Sequence, residues 1–286
     1  MQKTNESTFY KSLFGDIFYK DSGPKDAPAV IFLHGVGMDH RTFDEQVNVL
    51  KDRYRVIVFD LPGHGRSTIK NYNFSFTPLA TFCLVGLMNY LNVQKASFVG
   101  QSLGSHIAQR LQLNAPERVK SVIHLGGAEY KSYVGKWAKI FIPVIMIMVH
   151  LIPKNLFYKA FGRHKADAKK TQEYLIEATR ISGKKLIAKI TKDMLYDLAD
   201  GIPEPEKRPM MICYGVNDLK FIRKNSIKWN NKYPDSICVE IPDANHIANQ
   251  DNPEYINRVL IEFLDLHAKL NKNTIQKEAN YAYYMN

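Results

Sequence analysis

Cysteine is scarce in this chain, which has only three among its 286 residues: Cys83, Cys213 and Cys238. All three fall in apolar segments, and an odd number of buried thiols fits a reducing compartment better than a disulfide framework. The sequence contains no C-x-x-C or H-E-x-x-H spacing, so it offers no recognised metal site. We therefore expect a cytoplasmic chain that uses no metal and no disulfides.

Long hydrophobic runs are also missing. The apolar stretch from Ile140 to Ile152 is interrupted by Pro143 and is too short for a membrane span, which needs about 20 apolar residues. Met1 to Ser7 is polar, so we expect no secretory signal. We find no internal repeat and no low-complexity segment. Because 45% of the residues are hydrophobic, the chain can still build a proper core.

Acidic residues are rare in one part of the chain. Between Lys131 and Lys192 there are 14 basic residues and three acidic ones, a surplus equal to the formal net charge of +11. A local basic surface implies an anionic partner, such as a lipid headgroup surface, or simply a solvated helical face. We expect no nucleic acid, because no recognised binding module accompanies the charge.

The most informative motif is Gly100-Gln101-Ser102-Leu103-Gly104, a G-x-S-x-G pentapeptide. Ala96 to Val99 before it predicts the end of a buried strand, and Ser105 to Leu113 after it predicts a helix. A serine at such a junction lies on a strained turn that exposes its hydroxyl at the end of a sheet. Side chains in place of the two glycines would crowd this turn. The alternative interpretation is a glycine-rich turn with a passive serine.

Two more polar segments follow predicted strands. Tyr214 to Asp218 comes after the strand Pro209 to Cys213, and Asp243 to His246 comes after the strand that begins at Ser236. The order Ser…Asp…His is that of an α/β-hydrolase triad. Together with the loops Leu33 to Gly37 and Asp60 to Ser67, these motifs make the chain resemble the α/β-hydrolase superfamily from about residue 9 to residue 270.

The resemblance implies a role for each site residue. Ser102 would be the nucleophile, His246 the general base and then acid, and Asp218 the carboxylate that orients the imidazole. The backbone N–H groups of Leu103 and Val36 would form the oxyanion hole. The remaining motif residues would shape the elbow and the neighbouring loop: His34, Gly35, Gly100 and Gly104.

Alternatives remain for the acid and the base. Asp218 could instead cap the following helix, and Asp60, which ends another strand, is a rival carboxylate. Of the nine histidines, only His246 follows the last predicted strand on a loop. His124 could face the pocket from a central strand, although a core position is the simpler interpretation. Asn245 stands where the superfamily often has glycine.

The fold class that follows is α/β: a mostly parallel eight-stranded sheet with helices on both faces and a helical cap. The hydrolase core would comprise residues 1–125 and 203–270, the cap residues 126–202, and a polar tail residues 271–286. We interpret the apolar stretch from Ile140 as a buried cap helix. It could instead line an acyl-chain pocket or dip into a bilayer surface between flanking lysines.

We predict a serine hydrolase that cleaves a carboxylic ester through an acyl-enzyme, without a cofactor. A serine rather than an aspartate at the elbow argues against haloalkane dehalogenase or epoxide hydrolase chemistry. The substrate we expect is lipid-like, with a medium or longer acyl chain, and the protein could sit at the periphery of an anionic membrane. The alternatives are a carbon–carbon bond hydrolase of the same fold and a protein that senses a small molecule.

Overall fold

A computed structural model describes residues 8–70, 73, 75–130 and 139–268 of the chain. Within these residues there are eight strands, and all of them join one sheet. Their bounds are β1 Thr8–Ser12, β2 Gly15–Ser22, β3 Ala29–Leu33, β4 Arg55–Phe59, β5 Ala96–Gln101, β6 Val119–Leu125, β7 Met210–Gly215 and β8 Ile237–Ile241.

The strands are arranged in the order β1-β2-β4-β3-β5-β6-β7-β8. β1 pairs with β2, and β2 with β4, in antiparallel fashion, whereas every other pair is parallel. The carboxyl ends of β3 and β5 lie side by side, because Leu33 is in register with Gly100. Parallel strands deliver the loops that follow them to one edge of the sheet. The predicted eight-stranded, mostly parallel α/β fold is confirmed.

Helices cover both faces of the sheet. Within the described residues they are α1 Asp44–Leu50, α2 Phe76–Tyr90, α3 Leu103–Asn114, α4 Ile142–Leu151, α5 Lys154–Lys165, α6 Lys169–Ser182, α7 Lys184–Asp200, α8 Lys220–Lys232, α9 Ala248–Asp251 and α10 Pro253–Ala268. Short 3₁₀ turns occur at His40–Phe43 and Pro116–Arg118. The predicted strands at residues 96–99 and 209–213 and the predicted helix at residues 105–113 differ from these bounds by two residues at most.

The two faces of the sheet bury separate cores. Along β3, Ile31 and Leu33 point into a core shared with α2 and α3, while Val30 and Phe32 point into another shared with α1 and α10. This alternation follows from the period of two along a strand. Since both faces are covered, β3 and β4 are almost entirely apolar, which is why the sequence shows them as continuous hydrophobic runs.

The described part of the segment between β6 and β7 contains four helices, α4 to α7. They fall inside the predicted cap of residues 126–202, of which residues 131–138 lie outside the described part, as do residues 271–286 of the predicted tail. α7 joins the first core, since Leu186, Ile187 and Ile190 pack against it. The insertion therefore rests on the edge of the sheet where the loops after the strands emerge.

The interpretation of the apolar stretch as a buried helix is wrong. Of the residues of α4, only Ile142 and Met146 are buried. Most of its other apolar side chains face solvent, because α4 packs along α7 by one narrow stripe only. Within the described residues, no individual helix has both the length and the hydropathy to cross a bilayer; α4 and α5 meet that standard only as a pair, bent by 114°.

Candidate active site

Ser102 occupies a strained turn between β5 and α3. Its backbone has φ 51° and ψ −109°, a conformation that residues with a side chain rarely adopt. A Cβ on Gly104 would collide with the carbonyl group of Leu33, and a Cβ on Gly100 would lie 2.5 Å from the Gly104 oxygen. The Ser102 N–H donates to the Leu125 carbonyl at 2.9 Å, which ties the turn to β6. Both glycines are thus required by close backbone approach.

Ser102, His246 and Asp218 form one continuous hydrogen-bonded chain. The imidazole Nδ1 of His246 lies 2.9 Å and 3.2 Å from the two carboxylate oxygens of Asp218. Because a carboxylate can only accept, Nδ1 carries the proton and donates it. Nε2 is then free to accept from the Ser102 hydroxyl, whose Oγ is 3.1 Å away. The arrangement can remove a proton from Ser102 as its oxygen attacks an electrophile.

His246 is held as a neutral base. Burial lowers its pKa from the ordinary value, and the positive charge of Lys165 lowers it further, while Asp218 acts in the opposite direction. Lys165 ends α5, and its own pKa is lowered by burial against the opposing pull of Asp218. At neutral pH the imidazole is therefore unprotonated and ready to accept a proton.

Asp218 has two acceptor roles. Besides His246, its Oδ1 accepts from the Leu219 N–H at 2.6 Å, next to the start of α8. The neighbouring Asn217 is not bound to this helix end either: its side-chain amide donates to Asp167 at 2.7 Å. The N-cap of α8 is Leu219, and no side-chain capping bond is made there, so the carboxylate of Asp218 binds His246 rather than capping the helix.

The amides predicted to form the oxyanion hole are those of Leu103 and Val36. Leu103 is the first residue of α3, so its N–H has no partner inside the helix. Val36 lies in the loop after β3, and in the described part of the chain neither amide donates to a protein acceptor. His34 fixes that loop: its Nε2 accepts from Leu61 N–H at 2.9 Å, so Nδ1 donates to the Gly35 carbonyl at 2.8 Å.

Asp60, the rival carboxylate, is engaged elsewhere. It accepts from the backbone N–H and the Nδ1 of His40 at 2.7 Å and 2.8 Å, and from Arg66 N–H at 2.7 Å. Burial alone would raise the pKa of Asp60, but the bond and charge of His40 outweigh it and the pKa is lowered. No motif in the sequence indicates a role for His40, because the pairing depends on the packing of two distant loops.

Two further buried histidines, His106 and His124, lie in the core. His124 Nδ1 is 2.8 Å from the hydroxyl of Ser105, and its ring stacks on Trp229. His106 stacks on Tyr130. Neither is hydrogen-bonded to Ser102. Ser105 therefore provides a second buried serine–histidine pair, three residues from the first, that lacks a carboxylate.

Comparison with known proteins identifies the family of this chain. The profile of the alpha/beta hydrolase fold family matches residues 28–253, which is most of the chain. The chain belongs to the α/β-hydrolase family. Its recognition from the motifs is confirmed, and so is a hydrolase of this fold.

Individual relatives of this α/β hydrolase are distant or partial. It is 23% identical over 240 residues to the (E)-2-((N-methylformamido)methylene)succinate hydrolase of Acinetobacter baylyi, covering 82% of this chain and 90% of the relative. It is 45% identical to the magnesium-chelatase 30 kDa subunit of Rhodobacter capsulatus over 98 residues, only 34% of each chain. The enol-lactonase of Burkholderia xenovorans LB400 superposes with a TM-score of 0.78 at 20% identity, covering 90% and 99% of the two chains.

A polar clasp, which sequence reasoning missed, joins the helical insertion to both loops of the site. The carboxylate of Asp167, between α5 and α6, accepts from the side-chain amides of Asn217 at 2.7 Å and Asn245 at 3.0 Å. Asn217 directly precedes Asp218, and Asn245 directly precedes His246. Asn245 stands where the superfamily often has glycine, and this difference was the one indication of the clasp in the sequence.

Asp251 extends the same clasp. It accepts from the backbone N–H groups of Asn245 at 3.0 Å, Asp167 at 2.9 Å and Ala168 at 3.1 Å. The carbonyl of Lys165 accepts from Ile247 N–H at 3.1 Å. The segment that joins α5 to α6 is thereby fixed against the loop that carries the imidazole.

One group of side chains has the composition of a metal site. Ligand atoms of Asp39, His40 and Asp60 lie within 4.8 Å of one another. Both carboxylates are already satisfied, since Arg41 donates to Asp39 at 2.7 Å and His40 donates to Asp60. An ion here would compete with these donors, and the group does not contact Ser102 through any hydrogen bond in the described residues.

Proposed function

We propose that this protein is a serine hydrolase that cleaves a carboxylic ester through an acyl-enzyme. The observation that carries the proposal is the unbroken chain from Ser102 Oγ to His246 to Asp218, with separations of 3.1 Å and 2.9 Å, at a strained turn. The name of the enol-lactonase neighbour is consistent with it, because a lactone is a cyclic ester.

The reaction follows from the positions of the groups. Ser102 Oγ attacks the ester carbonyl while His246 Nε2 takes its proton, and the carbonyl electrons move onto oxygen. The amides of Leu103 and Val36 donate to that oxyanion. Collapse of the intermediate expels the alcohol, which receives the proton from His246. Water, deprotonated by the same nitrogen, then releases the acid and restores Ser102.

Apolar side chains of the helical insertion lie next to the loop that carries Val36. Ile187 of α7 lies against Gly37, beside the Val36 amide, and Leu186 lies against Gly63. Both side chains are buried in the core that contains Val36. Each methylene buried in such surroundings contributes about 0.8 kcal/mol. We propose that medium or longer acyl chains are preferred over acetyl.

The test of catalysis uses neutral nitrophenyl esters and two serine variants. Ser102→Ala removes the proposed nucleophile and should abolish turnover. Ser105→Ala removes a buried serine that also contacts an imidazole, at 2.8 Å, but lies outside the chain to Asp218. We expect this variant to retain turnover. Full activity in Ser102→Ala would contradict the proposal.

The same assay distinguishes an ester hydrolase from the two alternative classes of protein. A ligand-sensing protein would give a single slow event rather than steady release of alcohol. A carbon–carbon bond hydrolase would cleave a vinylogous diketone faster than any ester.

Acyl specificity is tested by a series of esters from acetyl to dodecanoyl with one leaving group. We expect kcat/KM to rise with chain length and then level off. A fastest rate on acetyl would contradict the acyl-chain preference but leave ester hydrolysis intact.

A further inference from the structure

Helix α4 exposes an apolar surface of unusual extent. Its residues Ile142–Leu151 include no acidic residue, no lysine and no arginine. Together with the residue at 140, its outward side chains are between 42% and 77% exposed. We call this set the α4 surface: Ile140, Val144, Ile145, Ile147, Met148 and Leu151.

The α4 surface is unlike a core helix and unlike an ordinary soluble face. Among the described residues, α2 is another short apolar helix; it buries nine of its 15 residues, whereas α4 buries two of its ten. Soluble monomers rarely expose a contiguous apolar patch of more than a few hundred Å². A helix that is apolar all round is normally buried or placed in lipid. We therefore expect a partner to cover the α4 surface.

Side chains hydrogen-bond the backbone carbonyl groups at the C-terminal end of α4. Lys184 Nζ donates to the His150 carbonyl at 2.9 Å and also to the Ile152 carbonyl, while His150 Nδ1 donates to the Met146 carbonyl at 2.9 Å. Helix ends otherwise leave carbonyl groups without partners. Because unpaired polar groups are costly in lipid, these bonds lower the cost of immersing this end.

The charge next to the α4 surface is positive. α5 follows after two residues and exposes Lys154 and Lys159, and α7 exposes Lys185. The segment from Lys131 to Lys192 holds the whole basic surplus of the chain. Lysines beside an apolar helix are the pattern that attracts anionic headgroups. A second copy of the chain docked here would instead bring two basic segments together.

The bend between α4 and α5 excludes a single straight span. The two helices diverge by 114°, so α4 can lie in the plane of a surface while α5 leaves it. We propose that the α4 surface docks onto an anionic phospholipid bilayer, with α4 inserted at the headgroup boundary and the lysines of α5 facing the lipid phosphates. This inference does not depend on the proposed catalysis.

Co-sedimentation with vesicles tests the docking. The full chain carries Ser102→Ala throughout, so that no hydrolysis can alter the lipid and catalysis does not enter the result. Vesicles of phosphatidylcholine alone are compared with vesicles that also contain phosphatidylglycerol, at roughly 50 mM and 500 mM salt. We expect binding to the anionic vesicles at low salt, weaker binding at high salt, and the weakest binding to the neutral vesicles.

Two double variants test the apolar contribution. Ile147→Gln with Met148→Gln should lower partitioning at least about tenfold, since two large side chains no longer enter lipid. The matched control is Phe221→Gln with Ile227→Gln, two exposed apolar residues on α8. It should bind like the parent. All four positions are solvent-exposed, so the thermal midpoint should stay close to that of the parent.

A second pair of variants tests the charge. Lys154→Gln with Lys159→Gln should weaken anionic binding by about fivefold per lysine at low salt. Lys220→Gln with Lys224→Gln, on α8, should change it little.

Three outcomes would overturn the proposal. They are no binding to anionic vesicles, equal binding to neutral and anionic vesicles, and a loss of vesicle binding in the α8 control variants equal to that in the variants they control. Self-association of the parent that Ile147→Gln with Met148→Gln abolishes would identify the surface as a dimer interface instead.

Discussion

At the scale of single residues, the site depends on the protonation state and tautomer of one imidazole. His246 can serve Ser102 only if its Nδ1 carries the proton and its Nε2 is free. Asp218 secures that tautomer by accepting at 2.9 Å, and burial keeps the ring neutral by lowering its pKa. Two residues therefore control the base: the carboxylate at Nδ1 and the nearby cation Lys165.

Replacing the carboxylate should have a large effect on turnover. Asp218→Asn leaves the side-chain shape but permits the wrong tautomer of His246, so we expect kcat to fall by roughly 10⁴ with little loss of stability. Ester turnover and a urea denaturation curve provide the measurement.

The matched control for Asp218→Asn is the same substitution at Asp60, the other candidate carboxylate. Asp60→Asn should keep kcat within about tenfold, while the free energy of unfolding falls by about 1–3 kcal/mol, because three donors lose a charged acceptor. The assignment of Asp218 would be contradicted if Asp60→Asn were the more damaging change to kcat.

The cation should control the pH profile. Because the charge of Lys165 lowers the pKa of His246, Lys165→Met should raise that pKa. Neutral imidazole is the active form, so the acid limb of kcat/KM should move to higher pH. The exposed Lys169→Met, whose side chain is 90% exposed, serves as control and should leave the limb in place. An acid limb that stays fixed or moves to lower pH in Lys165→Met would contradict this electrostatic role.

At the scale of elements, the insertion and the sheet are connected through the site itself. The segment between α5 and α6 binds both loops that carry the acid and the base, through the carboxylate of Asp167. Asp167→Ala removes an acceptor from Asn217 and Asn245 together. We expect kcat to fall about tenfold, with KM changing less, because the residues that move are those next to Asp218 and His246.

Glu173→Ala is the control for the clasp. Glu173 lies on α6, and its ion pair with Lys169 at 3.9 Å is exposed, so its loss should have no measurable effect on kcat. Equal kcat values for Asp167→Ala and the parent would show that the clasp does not position the loops.

The sequence was most informative about elements whose pattern is local. Continuous apolar runs located the buried strands, and the glycines around Ser102 located the elbow, because these features depend on nearby backbone. The His40–Asp60 pair and the clasp of Asp167 were missed, since they arise only when distant loops pack together. For α4, composition revealed that the helix is apolar but could not show what covers it.

At the scale of the whole molecule, buried neutral histidines couple stability to pH. Burial lowers the pKa of His64 to about 3, of His106 to about 4 and of His124 to about 3. In the unfolded chain each would titrate near 6.5. As the pH falls below about 6.5, the unfolded state therefore takes up protons that the folded state refuses, and stability is lost progressively towards pH 3 to 4.

The free energy of unfolding should depend steeply on pH. Around pH 5.5 three extra protons correspond to a loss of about 3–4 kcal/mol in the free energy of unfolding per pH unit. Asp44 and Asp197, whose pKa values burial raises, act in the opposite direction and reduce this slope. Urea denaturation at pH 7, 6 and 5 and constant ionic strength measures it. Stability that is flat or rises on acidification would contradict neutral burial of these rings.

Reaction with a fluorophosphonate, followed by peptide mapping, tests the central claim most directly. The reagent bonds covalently to a serine whose proton is removed by a neighbouring base, so it reads out the chain of Ser102, His246 and Asp218 in one step. We predict one equivalent of label, on the peptide that contains Ser102, in the parent and in Ser105→Ala, and none in Ser102→Ala. Label on Ser105, or undiminished labelling of Ser102→Ala, would contradict the account.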